Sequence, residues 1–233
     1  MAAHNKNEGA ASMITVHHLN NSRSQRVLWL LEELGVPYEI RKYQRDAKTM
    51  LAPPELKRVH PLGKSPVITD GDNTVAESGA IVEYLVERYG NGKLIPPANT
   101  PERLRYTYWM HYAEGSAMLP LLLKLIFGHI ERSPAPFFIR PVIKGLVGQV
   151  NKSFIDPQLE LHFDYIDAEL GKSEWFAGKE ISGADIQMSF PLEAAAARGK
   201  GAWPNIAKYL QRIHARPAYQ RALEKGGKYE LLS

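Results

Sequence analysis

The sequence predicts a small α/β domain followed by an all-helical domain. Two observations establish this division. β-branched runs alternate with helical apolar spacing between residues 13 and 90, whereas from residue 100 to residue 233 only helical spacing is present. Between them lies a Gly- and Pro-rich segment, residues 91–99, which is typical of a linker.

The first half of the α/β domain reads as strand, helix and strand. Residues 13–18 predict the first strand, and residues 19–26 form the loop after it. A helix follows and is expected to end at Gly35. Residues 38–43 predict the second strand. One face of the helix carries the apolar side chains Val27, Leu30, Leu31 and Leu34.

The second half is organised around residues 60–89. Residues 67–69 predict a strand, residues 70–73 a tight turn, and residues 74–75 a returning strand. From Ser78 onward, apolar residues recur at the spacing of one helix face. The order β-α-β-(α)-β-β-α is that of a thioredoxin-like domain, although the cysteine that a thioredoxin or glutaredoxin needs in its first loop is missing.

The helical domain has clear start signals. Thr100 is expected to cap a helix whose first residue is Pro101. Pro120 is expected to kink the later half of that helix. Ser182 and Asp185 predict a reciprocal capping box, in which Ser182 accepts from the Asp185 N–H and the carboxylate reaches back to the Ser182 N–H.

An apolar patch at residues 142–148 follows a Pro-rich break at residues 134–141. We expect this patch to pack between domains or in a dimer, with contact to a membrane surface as the less favoured alternative. The apolar run of residues 117–130 is too short to span a bilayer.

Composition excludes several function classes. The chain of 233 residues has no cysteine, so it has no disulfide, thiolate metal site or cysteine nucleophile. The eight histidines show no metal-ligand spacing, and the net charge of +4 is spread without a basic run, which argues against nucleic-acid binding. Residues 1–12 predict a disordered tail. With no leader pattern, we expect a soluble cytoplasmic protein.

Two motifs carry a family resemblance. Pro61-Leu-Gly-Lys-Ser-Pro-Val-Ile68, followed by Glu77-Ser-Gly-Ala-Ile81, resembles the glutathione-binding half of the cytosolic glutathione transferases. Trp175-Phe-Ala-Gly178, with Ser182 and Ala184-Asp-Ile186, is similar to their C-terminal domain. The resemblance implies the glutathione transferase fold, a thioredoxin-like domain plus an all-α domain. It also implies glutathione as co-substrate, no metal and a homodimer.

The resemblance also suggests site residues. In this family a first-loop Tyr, Ser or Cys contacts the thiol of glutathione. Ser22 falls where theta-like members have serine, and Asn21, near the zeta- and nu-like position, is the alternative. The turn-forming residues around them are equally compatible with a plain turn. Lys64, Ser65, Pro66, Glu77 and Ser78 correspond to the glutathione-binding positions.

The predicted electrophile pocket lies between the domains. Its candidates are Trp109, Tyr112 and Ser116, which fall at i, i+3 and i+7 on one helix, although an aromatic stripe at this spacing is more often core. The favoured function is transfer of glutathione to small hydrophobic electrophiles. Peroxidase, isomerase or dehalogenase chemistry at the same site is the second possibility, and a non-catalytic binding or regulatory protein is the third.

Overall fold

A computed structural model describes residues 13–49, 51–198 and 201–232. The predicted disordered tail, residues 1–12, lies outside the described residues. The N-terminal part is built on a four-stranded sheet in the order β2-β1-β3-β4. The strands are β1 (Ile14–Leu19), β2 (Tyr38–Tyr43), β3 (Val67–Asp70) and β4 (Asn73–Ala76).

β1 pairs in parallel with β2 and antiparallel with β3, and β3 pairs antiparallel with β4. Two helices, α1 (Ser24–Leu34) and α2 (Ser78–Tyr89), bury their apolar faces in the core that includes the sheet. The predicted helix end is correct, since Gly35 adopts a left-handed φ of 67°. The helix in parentheses in the predicted order, between the second and third strands, is a 3₁₀ turn, Pro54–Arg58. The predicted thioredoxin-like fold is therefore confirmed.

The C-terminal part is helical, as predicted. Its helices are α3 (Pro101–Tyr112), α4 (Met118–Arg132), α5 (Arg140–Val150), α6 (Asp156–Leu170), α7 (Gly183–Arg198), α8 (Pro204–His214) and α9 (Pro217–Gly226). Thr100 caps α3 by accepting the Arg103 N–H at 3.2 Å. A 3₁₀ turn, Glu230–Leu232, follows α9.

The irregularity expected at Pro120 lies earlier in the chain. One turn of π-helix, Ala113–Ala117, separates α3 from α4. Pro120 is the third residue of α4. Its missing N–H falls in the first turn after the π segment, where regular α-helical hydrogen bonding is only being re-established, so proline is tolerated there.

The capping box at Ser182 forms only in part. The Ser182 N–H donates to Asp185 Oδ2 at 2.8 Å, as predicted. The Ser182 hydroxyl also donates to that oxygen, at 2.9 Å, so it does not accept from the Asp185 N–H, which bonds the Ser182 carbonyl instead. The reason is burial: the Asp185 carboxylate is fully buried and collects the available donors, including the Phe176 N–H at 3.0 Å.

The expectation that the 142–148 patch packs between domains is wrong for most of its side chains, whereas its packing in a dimer stays a prediction. Val142 and Leu146 are 68% and 64% exposed, whereas Val147 is buried. By length and composition, the helical stretch Pro101–Arg132 could cross a bilayer, with 28% of its most apolar window buried. Core helices of other proteins pass the same test, so this result alone does not make it a span.

Candidate active site

Three segments that carry predicted site residues meet at one end of the sheet. Strand register brings them together: His17 of β1 is opposite Val67 of β3, and Val67 is opposite Ala76 of β4. Ser65 therefore lies beside the end of β1, and Glu77 follows β4 at the same end. The loop after β1, which holds Asn21 and Ser22, begins there as well.

The backbone of Leu19 joins two of these segments. Its N–H donates to Ser65 Oγ at 3.3 Å, and its carbonyl accepts from Ser24 Oγ at 3.4 Å. The Ser65 hydroxyl itself donates to the His17 carbonyl at 2.8 Å. The Ser65–Pro66 peptide bond is cis. The hydroxyl of Ser65 is thus used for folding, and its backbone borders the site.

A network of hydroxyl groups holds the first loop. Ser22 is 4% exposed, and its Oγ lies 2.7 Å from Ser24 Oγ. The same Ser22 oxygen accepts the Ser24 N–H at 3.2 Å, at the first residue of α1. Ser24 Oγ in turn lies 2.9 Å from Nδ1 of His18. Ser22 is therefore fixed in position beside the start of α1.

His18 is neutral at physiological pH. Burial lowers its pKa to about 4, the positive charge of Lys42 lowers it further, and a hydrogen bond to the backbone of Gly226 opposes both. A neutral imidazole offers one donor and one acceptor nitrogen. His18 thereby links the start of α1 to the end of α9.

Asn21 has a different environment from Ser22. It adopts a positive φ of 50°, a conformation in which Asn is more common than most residues. Its side-chain oxygen accepts the backbone N–H of Glu230 at 2.9 Å. Asn21 therefore connects the first loop to the C-terminal 3₁₀ turn.

The glutamate and serine at the start of α2 differ in exposure. Glu77 is exposed and Ser78 is 5% exposed. Glu77 has a φ of 71°, which is sparsely populated for a residue with a side chain and costs roughly 1–3 kcal/mol. The first turn of α2 carries no acidic side chain, so its N–H groups can receive an anion. Lys64 is exposed on the preceding loop.

A cavity of about 330 Å³ opens beside Glu77, between the start of α2 and the α3 region. Among its lining residues are Gly79, Glu114 and Gln187. The side-chain oxygen of Gln187 is buried and has no hydrogen-bond partner in the part of the chain that the structure describes. A larger cavity of about 1040 Å³ lies between the linker and the segment after α6, and no predicted site residue lines it.

A cross-domain ion-pair cluster was missed by sequence reasoning. Glu114, in the π-helical turn, accepts from Arg23 Nε at 3.1 Å and from Arg26 Nη2 at 2.5 Å. Arg26 is 2% exposed and also donates to the Gln187 carbonyl at 2.5 Å. Arg45, whose Nε donates to the Asn20 carbonyl at 3.3 Å, lies nearby. Arg23 and Arg26 thus share one carboxylate, that of Glu114.

No local signal could have revealed this cluster. Glu114 lies 88 and 91 residues along the chain from its two arginine partners. A charged residue on a helix is normally read as solvent-exposed. Only the position of Arg26 on the buried side of α1 indicates that a partner is needed.

Two of the three predicted pocket residues, Trp109 and Tyr112, contact side chains of the C-terminal helical domain. Trp109 is 1% exposed and packs against Phe176 and Tyr165, with ring centroids 4.7 and 5.7 Å away. The Tyr112 hydroxyl lies 2.5 Å from His162 Nδ1. Ser116 is half-buried in the π-helical turn, two residues after Glu114. The contacts of Trp109 and Tyr112 are those of a domain core.

No cluster of three His, Cys, Asp or Glu side chains suited to a metal is found among residues 13–49, 51–198 and 201–232.

Known proteins resemble this chain in both its N-terminal and its C-terminal part. Residues 11–87 match the model of the glutathione S-transferase N-terminal domain, and residues 155–217 match the model of its C-terminal domain. Glutathione S-transferase 3 of Schizosaccharomyces pombe is 38% identical over 216 residues, which cover 91% of this chain and 88% of that protein. The chain belongs to the glutathione S-transferase family.

Two further relatives support the assignment. Glutathione S-transferase 1 of Saccharomyces cerevisiae is 34% identical, covering 91% of this chain and 95% of the relative. The crystal structure of a glutathione S-transferase from Actinobacillus pleuropneumoniae superposes with a TM-score of 0.75 at 35% identity, covering 94% of this chain and 96% of that one. The predicted family and enzyme class are confirmed. The family models leave residues 88–154 unmatched, a span that includes α3, α4 and α5.

Proposed function

We propose that this glutathione S-transferase family member binds glutathione at the end of the sheet and transfers it to small hydrophobic electrophiles. The observation that carries the proposal is the convergence of the first loop, Ser65 and Glu77–Ser78 at one edge. Leu19 is hydrogen-bonded to both Ser65 and Ser24, so the loop and the strand entry are held together. A tripeptide lying along this edge would meet all three segments at once.

Each segment suits one part of glutathione. The backbone at Ser65, just before β3, suits strand-like pairing with the cysteinyl unit. The N-terminus of α2, with Ser78 at its first residue, suits the carboxylate of the γ-glutamyl end. Lys64 is exposed and directly precedes Ser65, so its ammonium group would meet the glycyl carboxylate. Pro66 is buried and supports the turn between them.

The reaction needs glutathione as a thiolate. A thiol with a pKa near 8.5 is mostly protonated at neutral pH, and a lower pKa increases the reactive fraction. The Ser22 oxygen is held by the Ser24 N–H, and its hydroxyl, which shares a hydrogen bond with Ser24 Oγ, would donate to the sulfur of bound glutathione instead. Arg23 and Arg26 share the single carboxylate of Glu114, and their positive charge, together with the N-terminus of α1, favours the anion. Asn21 is the alternative sulfur contact.

The electrophile would lie between the domains, next to the sulfur. Ser116, half-buried two residues after Glu114, would border this pocket, whereas Trp109 and Tyr112 would shape it from behind through the core contacts described above. Peroxidase, isomerase or dehalogenase chemistry could use the same thiolate. A cytoplasmic homodimer is the arrangement that the family resemblance implies.

Two measurements test the proposal. Calorimetric titration should show glutathione binding, and Ser78→Ala should weaken it roughly tenfold to a hundredfold, from about 1.5–3 kcal/mol for a hydrogen bond to a charged group. Assays with an aryl halide and with a hydroperoxide should show conjugation as the faster reaction. The exposed Ser153→Ala is the control. Binding without turnover of either substrate would identify a binding protein, and unchanged affinity in Ser78→Ala would contradict the site.

A further inference from the structure

The hairpin end, residues 118–154, carries more than half of the large hydrophobic side chains that are exposed in the described part of the chain. Ten of the 17 large hydrophobic side chains that are exposed in the described part of the chain belong to it. On α4 they form one stripe, Leu119, Leu122, Ile126 and Ile130, each at least 43% exposed. Large apolar side chains exposed along one face of a helix are typical of an interaction site.

The most exposed side chains of the hairpin end are at its tip, between α4 and α5. Phe137 and Phe138 are 82% and 66% exposed, and their rings contact only each other at 5.6 Å among the ring pairs of the described residues. On α5, Val142 and Leu146 continue the apolar surface. Aromatic residues at an exposed tip are suited to the boundary between lipid headgroups and acyl chains.

The charge of the hairpin end indicates its partner. Residues 118–154 contain the five cations Lys124, Arg132, Arg140, Lys144 and Lys152 but only one carboxylate, Glu131, a net charge of +4 that equals that of the whole chain. Lys124 is paired with Asp156. The other four cations have no ion pair within the described residues. Arg132 and Arg140 bracket the two phenylalanines.

We propose that the hairpin end is a docking surface for anionic membranes, with Phe137 and Phe138 inserted at the interface and the basic side chains on lipid headgroups. This assignment reverses the expectation that membrane contact is unfavoured. Exposed apolar side chains combined with net positive charge fit a negatively charged lipid surface. The hairpin end also lies outside both family-model matches, residues 11–87 and 155–217.

A second copy of the chain fits the same surface less well. A symmetric dimer through the hairpin end would bring one +4 surface against another, and like charges across an interface are unfavourable. A bilayer-spanning role is also disfavoured, because Lys124, midway along α4, forms an ion pair with Asp156 at the start of α6. In this arrangement α4 lies on the membrane surface and does not cross the bilayer.

The test is vesicle flotation of the full chain with phosphatidylcholine vesicles, with and without phosphatidylserine. We expect binding only to the phosphatidylserine-containing vesicles, and we expect added salt to reduce it. Arg132→Gln with Arg140→Gln should lower the partition coefficient by about fivefold for each charge removed. Phe137→Ser with Phe138→Ser should lower it by about tenfold or more.

Leu104→Ser is the matched control, because Leu104 is 74% exposed on α3, far from the tip. This variant should float like the unsubstituted protein, and all variants should keep the same glutathione-conjugating activity. Equal binding to both kinds of vesicle, or unchanged binding of the phenylalanine variant, would overturn the proposal. So would sedimentation showing that the phenylalanine variant breaks a dimer while no form of the protein binds vesicles, since a second copy would then cover the surface.

Discussion

The side-chain oxygen of Asn21 accepts the backbone N–H of Glu230 at 2.9 Å, across 209 positions of sequence. Tyr229, the residue before, donates its hydroxyl to the buried Glu193 at 2.8 Å. The C-terminal turn is thus anchored to both the first loop and α7. Asn21 and Ser22 are neighbours in the chain, but one faces the C-terminus and the other faces Ser24.

This difference separates the roles of the two residues. We predict that Ser22→Ala raises the pKa of bound glutathione and lowers turnover at neutral pH by about tenfold to a hundredfold, from ~1.5–3 kcal/mol. Higher pH should restore part of the activity, and glutathione affinity should change little. Ultraviolet absorbance of the thiolate, titrated against pH, measures the shift.

Asn21→Ala is the control for Ser22→Ala. It should speed amide hydrogen exchange in residues 227–232, because the bond to Glu230 is lost. If Asn21→Ala shows the pH-rescued defect and Ser22→Ala does not, Asn21 is the sulfur contact. If neither shows it, the thiolate is stabilised by another group.

Glu114→Gln should destabilise the protein by roughly 1–3 kcal/mol, because it leaves the buried guanidinium of Arg26 without its counter-charge, although Glu114 is itself 35% exposed and partly screened by solvent. Urea unfolding measures the loss. The exposed Glu131→Gln should change the free energy of unfolding by less than about 0.5 kcal/mol. Equal stability of the two variants would show that Arg26 does not depend on this pair.

Glu114→Gln should also change how the free energy of unfolding depends on pH in the acidic range. Burial raises the pKa of Glu114, but the neighbouring Arg26 and Arg23 outweigh it, and the net pKa is lowered. A lowered carboxyl pKa stabilises the fold above the unfolded pKa, and this contribution is lost as pH falls through the folded pKa. Glu114→Gln should lack that part of the acid-induced loss.

Protonation of His18 should destabilise the protein as the pH falls below about 6.5. Its folded pKa of about 4 is below the ordinary value of 6.5, so the unfolded chain binds the proton more readily between these pH values. The free energy of unfolding should therefore fall by about 3 kcal/mol as pH drops from 6.5 to 4. His18→Asn should flatten this window in urea titrations at several pH values. An unchanged slope in the variant would assign the titration to another group.

Gly183→Ala should cost about 1–3 kcal/mol by overpacking. A Cβ at this position would lie 2.8 Å from Cγ1 of Val82 on α2 and 3.1 Å from the Tyr106 hydroxyl on α3. Gly145→Ala is the matched control, since its Cβ would meet nothing within 4 Å and alanine favours the helix. Thermal unfolding should show Gly183→Ala melting lower and Gly145→Ala melting no lower than the parent chain.

Features decided within a few residues could be predicted from the sequence. The four strands, α1 with its Gly35 end, α2 from Ser78 and the Thr100 cap all follow from apolar spacing and turn chemistry. The Glu77-Ser78 pair was located in the same way. Each of these depends on hydrogen bonds and side-chain spacing within about one helical turn or one hairpin.

The sequence by itself therefore determined the two-part architecture, the family and the segments that carry the candidate site. Tertiary structure alone decided the pairing of Arg26 with Glu114, the Asn21–Glu230 bond, and which apolar face of the hairpin end is left uncovered. Helical periodicity shows that α4 has an apolar stripe, but the same spacing suits a buried and an exposed stripe. Whether another element covers it depends on contacts between residues far apart in the chain, which local patterns do not encode.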